Sequence, residues 1–361
     1  MTGSTSIVVT ALGCIAIAAI ISLAMTPVSI MIANRAGALD VPRDNRRMHK
    51  TPIPRLGGIA IFVSFCVSVL ILRELINAGY ISDQDIPTLL DKLQAILISG
   101  LLVFALGVAD DVKGLRPRYK LLGQIGCAAL AFALGIRIPA VTVFGWHFAN
   151  ETGAGMFVSF IVTVIWLVAI TNMINLIDGQ DGLAAGVVGI AALAIAYSAY
   201  INGYPAAAFA MAVIAGSALG FLPFNFYPAK VFMGDCGAMF LGFALASVAI
   251  ISPAKGATVV AIIAPVLVLG VPLFDIAFAM VRRVLRRQSI FEPDKDHLHH
   301  QLSRIGIGQR RAALMLYGIS GVMGIAAILL SRELYLEAIG LFLIALLFIF
   351  VLIWGWDKKK D

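Results

Sequence analysis

Charge is scarce in this chain. Of its 361 residues only 13% are Asp, Glu, Lys or Arg, while 60% are apolar. Soluble globular domains carry about a quarter charged residues, so that class is excluded. Cysteine is scarce too. Cys14, Cys66, Cys127 and Cys236 form no CxxC pair, which argues against a thiolate zinc site and against a disulfide framework. All four lie in or beside apolar runs and read as small buried apolar residues. Linkers rich in Ser, Gly or Pro are missing and internal repeats are not evident, so residues 1–361 read as one domain. The formal charge of +7 invites a nucleic-acid reading, but the placement of the basic residues excludes it, as shown below.

Long hydrophobic runs are what the chain has instead. Crossing about 30 Å of hydrocarbon takes about 17–25 apolar residues. Eleven candidate runs lie near 7–33, 56–78, 94–109, 120–139, 154–174, 184–201, 205–224, 232–252, 257–281, 313–330 and 335–355. The expected fold class is all-α, a polytopic membrane bundle of about 10–11 transmembrane helices. The leading segment MTGSTS has no basic residue, so the first run reads as a retained span rather than a cleaved signal. If that span runs outward to inward, segments 34–55, 110–120, 225–231, 282–312 and 356–361 face the cytoplasm, and they hold 22 of the 27 Lys and Arg. The bias predicts an N-terminus outside and a C-terminus inside, and it makes the basicity a report of topology. On the outer side, AVTVFGWHFANET (140–152) alternates apolar and polar residues and predicts a short hairpin, with Trp146 and His147 as interface anchors.

The polar residues that interrupt span ends gather on the inner face. They are ADDVKGLRPRYK (109–120), TNMINLIDGQDG (171–182), FNFYPAKVFMGDCG (224–237) and DKDHLHHQL (294–302). Carboxylates at a membrane boundary are costly and tend to mark function. Asp110 and Asp111 are neighbours about 100° apart on a helix, which predicts different jobs for them. Asp178 and Asp181 are spaced i, i+3 below Asn172 and Asn175, a polar stripe ending at Gly179 and Gly182. Asp235 stands between Gly234 and Gly237, whose bare backbone would admit a ligand closely. Several carboxylates without thiolates suit a hard cation such as Mg²⁺, which takes one or two carboxylates and completes its shell with water and phosphate oxygens. With Lys113, Lys120 and the arginines of 282–287 nearby, the set matches the needs of phosphoryl transfer, namely positioning and charge neutralisation.

Three of the five histidines sit in DKDHLHHQL. If 296–305 is a helix, His297 and His300 share a face with Arg304, while His299 points about 160° from His297. Three such imidazoles would not meet on one metal, so donors to phosphate fit better; a loop conformation would reopen the zinc reading.

Taken together, RRMHKTPIPRLGG, DDVKGL, KLLGQ, NMINLIDGQDGLAAG, NFYPAKVFMGDCG, PLFDIAFAMVRR and DHLHHQL, spread over about residues 35–302, resemble the polyprenyl-phosphate N-acetylhexosamine-1-phosphate transferases. The HxHH form, with Leu298 interrupting the histidines, looks like the undecaprenyl-phosphate N-acetylglucosamine-1-phosphate branch. The resemblance implies transfer of N-acetylglucosamine 1-phosphate from UDP-GlcNAc to undecaprenyl phosphate with release of UMP, initiating a surface polymer such as teichoic acid or lipopolysaccharide O-antigen. It also implies Mg²⁺ as cofactor with Mn²⁺ as a substitute, and a bacterial plasma-membrane protein with its active site on the cytoplasmic face. UDP-sugar, polyprenyl phosphate and the bilayer would be its partners, nucleic acid would not, and a homodimer is compatible. Carried over by position, Asp235 and Asp111 would hold the metal and Asp110, Asp111 and Asp178 would be catalytic. Lys113, Lys120, Asn172, Asn175, Asp181, Asn225, Phe232, His297, His299 and His300 would bind substrate. The alternatives are a phospho-MurNAc-pentapeptide transferase of the same family and, from a different class, a metal-cation transporter, which would place ionisable residues near the bilayer midplane.

Overall fold

The computed structural model describes residues 2–41, 51–79, 86–143, 146–149, 153–251 and 308–357. Ten helices fill them: α1 (Thr2–Ala36), α2 (Gly58–Asn77), α3 (Ile86–Lys113), α4 (Pro117–Ala133), α5 (Gly153–Ile177), α6 (Leu183–Ile201), α7 (Pro205–Asn225), α8 (Gly234–Ile251), α9 (Gln309–Ser331) and α10 (Tyr335–Asp357). Eight of these, all but α4 and α10, are long and apolar enough over the described residues to cross a membrane. The all-α membrane fold is therefore as expected. The expected run at 257–281 lies outside the described residues.

Two short antiparallel pairs complete the fold. β1 (Leu39–Asp40) pairs with β2 (Ile53–Pro54), and β3 (Ala140–Val143) pairs with β4 (Trp146–Ala149) in the register Thr142 to His147. The second pair is the hairpin that the 140–152 alternation predicts. The preceding helix departs from its expected bounds of 120–139. It starts early because Pro117 suits a first turn, whose amide has no intrahelical partner, and it ends early because the chain turns at Gly135, φ +99°.

Helices α7 and α8 form the centre. Helix α7 packs on α1 and α6, and α8 lies between α3 and α5, while α9 covers α6 and carries α10. Lipid gives no hydrophobic force between helices, so close packing of small residues and buried hydroxyl bonds must hold them. Both are visible at the α1, α2 and α7 crossing. A methyl group on Gly216 would lie 2.4 Å from the Ile15 carbonyl oxygen. The Ser22 hydroxyl donates to the Ser217 carbonyl at 2.8 Å, and Ser64 donates to the Ala18 carbonyl at 2.6 Å. Across the centre, the Trp166 indole of α5 donates to the Ala246 carbonyl of α8 at 3.1 Å. The cysteines are free, with Cys14, Cys127 and Cys236 buried and Cys66 partly so.

Candidate active site

One end of the bundle collects residues 37–41 and 51–57, the α3 to α4 turn, the α5 to α6 turn, the α7 to α8 loop and the start of α9. Backbone bonds tie these segments together. Phe232 N–H donates to the Pro54 carbonyl at 2.8 Å, and the amides of Gly57 and Gly58 donate to the carbonyls of Phe232 and Met233 at 3.0 and 2.8 Å. The α7 to α8 loop is thus stitched to the start of α2 and delivers Asp235 into the first turn of α8. The stitching demands glycine. Gly234 turns at φ +74°, and a methyl there would lie 1.9 Å from the Arg55 carbonyl oxygen. Cys236 in turn lies so near α3 that a methyl on Gly107 would sit 2.4 Å from its Cα. A sequence reading that leaves Gly234 and Gly237 open to a ligand is corrected here, because this chain's own backbone fills that space.

The two adjacent aspartates of α3 do turn to different partners. Asp110 Oδ1 accepts the Leu115 amide at 2.7 Å, which fixes the α3 to α4 turn, and its Oδ2 meets Lys120 Nζ at 2.8 Å. Asp111, 8% exposed, accepts the amides of Asp235 and Cys236, each at 2.9 Å. Both its oxygens therefore cap the N-terminus of α8, where unsatisfied amides and the helix dipole favour an anion.

Lys120, on the first turn of α4, joins three other elements. Besides Asp110 it meets Asp235 Oδ2 at 3.0 Å and donates to Asn175 Oδ1 at 3.0 Å. The Asn175 side-chain amide donates to Asp235 Oδ1. Three oxygens from α3, α5 and α8 thus converge on one ammonium, whose side chain is 16% exposed. One turn along α4, Gln124 exchanges hydrogen bonds with Asn172, donating at 3.3 Å and accepting at 2.7 Å.

Asp178 and Asp181 lie in the α5 to α6 turn, so the expected polar stripe leaves the helix after Asn175. Burial, then the charges of Asp235 and Asp111, push the Asp178 carboxyl well above the usual range; Arg55 opposes this and Asp181 adds to it. Burial is the main cause, and the neighbouring carboxylates add to it. Asp181 accepts the Ala229 amide at 2.9 Å. Asn225, 2% exposed, accepts the Gly182 amide at 3.1 Å and donates to the Val231 carbonyl at 3.0 Å, clamping the turn to the α7 to α8 loop. Phe232 is partly buried in the same loop, and Lys113 is exposed at the end of α3. His297, His299 and His300 lie outside the described residues.

The structure adds residues to which the sequence reading gave no role. Gln124 could have been found, because it follows Lys120 at i+4 and so shares its face. Tyr317 of α9, whose hydroxyl donates to the Gly182 carbonyl at 2.5 Å, carried no such signal.

A polytopic helical membrane protein with a lysine, carboxylate and amide cluster at one end is the class that fold and site define. Residues 93–253 match the profile described as Glycosyl transferase family 4. A Bacillus subtilis protein named "Probable undecaprenyl-phosphate N-acetylglucosaminyl 1-phosphate transferase" is 37% identical over 330 residues, covering 91% of this chain and 87% of its own length. The Mycobacterium tuberculosis decaprenyl-phosphate N-acetylglucosaminephosphotransferase is 36% identical over 337 residues, covering 86% and 80%. A Desulforudis audaxviator phospho-N-acetylmuramoyl-pentapeptide-transferase is 30% identical over 328 residues, covering 86% and 94%. The chain belongs to this family of polyprenyl-phosphate N-acetylhexosamine-1-phosphate transferases.

Proposed function

We propose that this protein transfers N-acetylglucosamine 1-phosphate from UDP-GlcNAc to undecaprenyl phosphate in a bacterial plasma membrane, releasing UMP and starting a surface polymer. The observation that carries the reading is the convergence of Asp110, Asp235 and Asn175 on Lys120. The family names supply the substrates, and the higher identity to the two N-acetylglucosamine relatives favours that donor over the muramoyl pentapeptide. The charge bias of the loops supports placing this end of the bundle in the cytoplasm, where UDP-sugars are made.

The donor set fits a hard divalent cation. Carboxylate and amide oxygens of three helices already surround one positive charge, and the charges of Asp235 and Asp111 also reach Asp178 in the neighbouring turn. Among the described residues no three His, Cys, Asp or Glu side chains form a complete cage, which suits Mg²⁺ better than a structural metal, since Mg²⁺ keeps water and phosphate oxygens. Asp235 would hold it; Asp111, the second ligand that the resemblance implies, has both oxygens on amides of α8, so Asp110 or Asp178 would stand beside Asp235 instead, and Mn²⁺ could replace Mg²⁺. When bound, the metal would neutralise charge on the diphosphate.

The remaining work belongs to this chain's side chains. Asp110 orients the lipid phosphate, and Lys120 binds the phosphates as charge builds up. An oxygen of the lipid phosphate forms a bond to the β-phosphorus, and the bond from that phosphorus to the bridging oxygen breaks, with UMP leaving on that oxygen's electron pair. The lipid phosphate is largely anionic at neutral pH, because its second ionisation falls near pH 6, so little proton abstraction is needed. Asp111 and Asn225 serve the site through the backbone, holding α8 and the loop ahead of it. Asn172, Asp181, Phe232, Lys113 and the histidines would line the nucleotide and sugar positions.

The test is a purified-protein assay with UDP-GlcNAc, a polyprenyl phosphate and Mg²⁺. UMP release that EDTA stops is expected. No UMP from UDP-GlcNAc, UDP-GalNAc or UDP-MurNAc-pentapeptide would sink the enzyme reading, and release only from the last would move the protein to the pentapeptide branch.

A further inference from the structure

Lys120 holds a position in this cluster that a divalent cation would compete for. Its Nζ lies 2.8 Å from Asp110 Oδ2 and 3.0 Å from both Asp235 Oδ2 and Asn175 Oδ1. Mg²⁺ would bind such oxygens at about 2.0–2.1 Å. An ammonium bonded to the same oxygens would then stand at most about 5 Å from the metal, and a singly and a doubly charged cation so close repel by far more than thermal energy in a protein-like dielectric. The two cations therefore compete for the same oxygens. Lysine is suited to yield, since it is a point charge on a flexible four-carbon stem and this side chain keeps a solvent-exposed margin of 16%.

We propose that Lys120 is an exchangeable counter-ion. In the substrate-free protein it fills the position between Asp110, Asp235 and Asn175 and suppresses divalent-metal binding. When the nucleotide sugar arrives with the metal, Lys120 gives up those oxygens and turns to the phosphates. Metal and nucleotide binding are then coupled, and by linkage each tightens the other equally. The inference rests on the divalent-metal reading above and adds an order to it, in which the site resists metal until phosphate is present to receive the lysine.

The experiment measures Mn²⁺ binding to the full-length detergent-solubilised protein by electron paramagnetic resonance, with and without UMP. The wild type should bind Mn²⁺ weakly alone and about tenfold or more tightly with UMP, as expected for a coupling of ordinary size. Lys120→Met should bind Mn²⁺ about tenfold more tightly than wild type without UMP and lose most of the UMP effect. Lys120→Arg, which keeps the charge, should stay near wild type. A Lys120→Met protein whose Mn²⁺ affinity without UMP equals or falls below wild type overturns the proposal, because a plain phosphate ligand or packing strut would give that result. Should Lys120→Met not fold, an unchanged wild-type affinity on adding UMP overturns it equally. Wild type that binds no Mn²⁺ in either condition, indistinguishable from Asp235→Asn, instead removes the metal reading beneath it.

Discussion

Helices α1 and α8 are both apolar along almost their whole length, yet they meet different surroundings. In α1, the most apolar of the eight candidate spans, 17% of the most apolar window is buried in protein; in α8, the least apolar, 89% is buried. In water the order would be reversed. In a bilayer lipid is as apolar as leucine, so hydrophobicity does not choose the interior, and the choice falls to residues that allow close approach. Helix α8 reads GDCGAMFLGFALASVAII, with glycine, alanine, serine and cysteine at half its positions, whereas α1 shows Val9, Leu12 and Ile20 to the outside at 60% exposure or more. The buried helix also carries the site. Asp235 opens it, Asp111 caps it, and α2, α3 and α5 hold it from three sides.

The difference predicts that α8 is intolerant of change and α1 forgiving. The largest effect falls at the charged start of α8. Asp235→Asn keeps the shape of the side chain but removes one of two carboxylates around Lys120 and the principal proposed metal ligand. Turnover should fall on the order of 10²–10³-fold, as when one preorganised electrostatic contact is lost. UMP release at a series of Mg²⁺ concentrations checks it, and the half-saturating concentration should rise. An unchanged Mg²⁺ titration would move the metal away from Asp235.

The next effect falls where α3 meets α8. Gly107→Ala puts a methyl 2.4 Å from the Cys236 Cα and 2.7 Å from the Asp235 carbonyl oxygen, which are backbone atoms that cannot rotate away. Overpacking of this kind costs about 1–3 kcal/mol, and here it also displaces Asp235. A lower thermal midpoint in detergent together with lost turnover is expected. Stability lost with full activity retained would show that α8 can shift without moving its first turn.

How much of this could be read from the sequence divides along the same line. Span positions, the outer hairpin and the different roles of Asp110 and Asp111 follow from hydropathy, alternation and helical angle, which are properties of neighbours in the chain. Burial of α8 over α1 does not follow, since both are apolar runs; it shows in the close approaches at glycines such as Gly58, Gly107 and Gly242, each placed against α8 or on it at another helix. The sequence placed Lys120 among the cations of the site but did not reveal its partners. The α3 to α4 turn, fixed by Asp110 on the Leu115 amide, brings it between three helices, and a tertiary contact of that kind leaves no mark on its neighbours in the chain. Gly234 was misread because a glycine beside a carboxylate looks the same in sequence whether ligand or backbone fills the space it leaves.

Asp111 separates support from chemistry. Asp111→Ala leaves the amides of Asp235 and Cys236 without acceptors and should cost about 0.5–2 kcal/mol, the usual range for a lost helix cap. Asp111→Asn keeps one acceptor oxygen and should recover about half of that. If the carboxylate acts through the helix terminus, Mg²⁺ dependence stays near wild type in the Asn variant while the thermal midpoint falls. A Mg²⁺ titration displaced as far as in Asp235→Asn would make Asp111 a direct ligand instead.

The smallest effect is expected on α1, and it tests the comparison from the other side. Gly13→Ala is chemically the same change as Gly107→Ala, but no atom lies within 4 Å of the added methyl. It would point into a cleft of about 210 Å³ between α1 and α2, lined by Thr10, Cys14, Ile17, Ser68 and Leu72 among others. Filling part of that space should leave stability within about 0.5 kcal/mol, with alanine's better helix propensity tending to raise it. Equal losses of thermal midpoint in Gly13→Ala and Gly107→Ala would mean that glycine is required in these helices for reasons unrelated to close approach, and the contrast between the lipid-facing and the buried helix would fail.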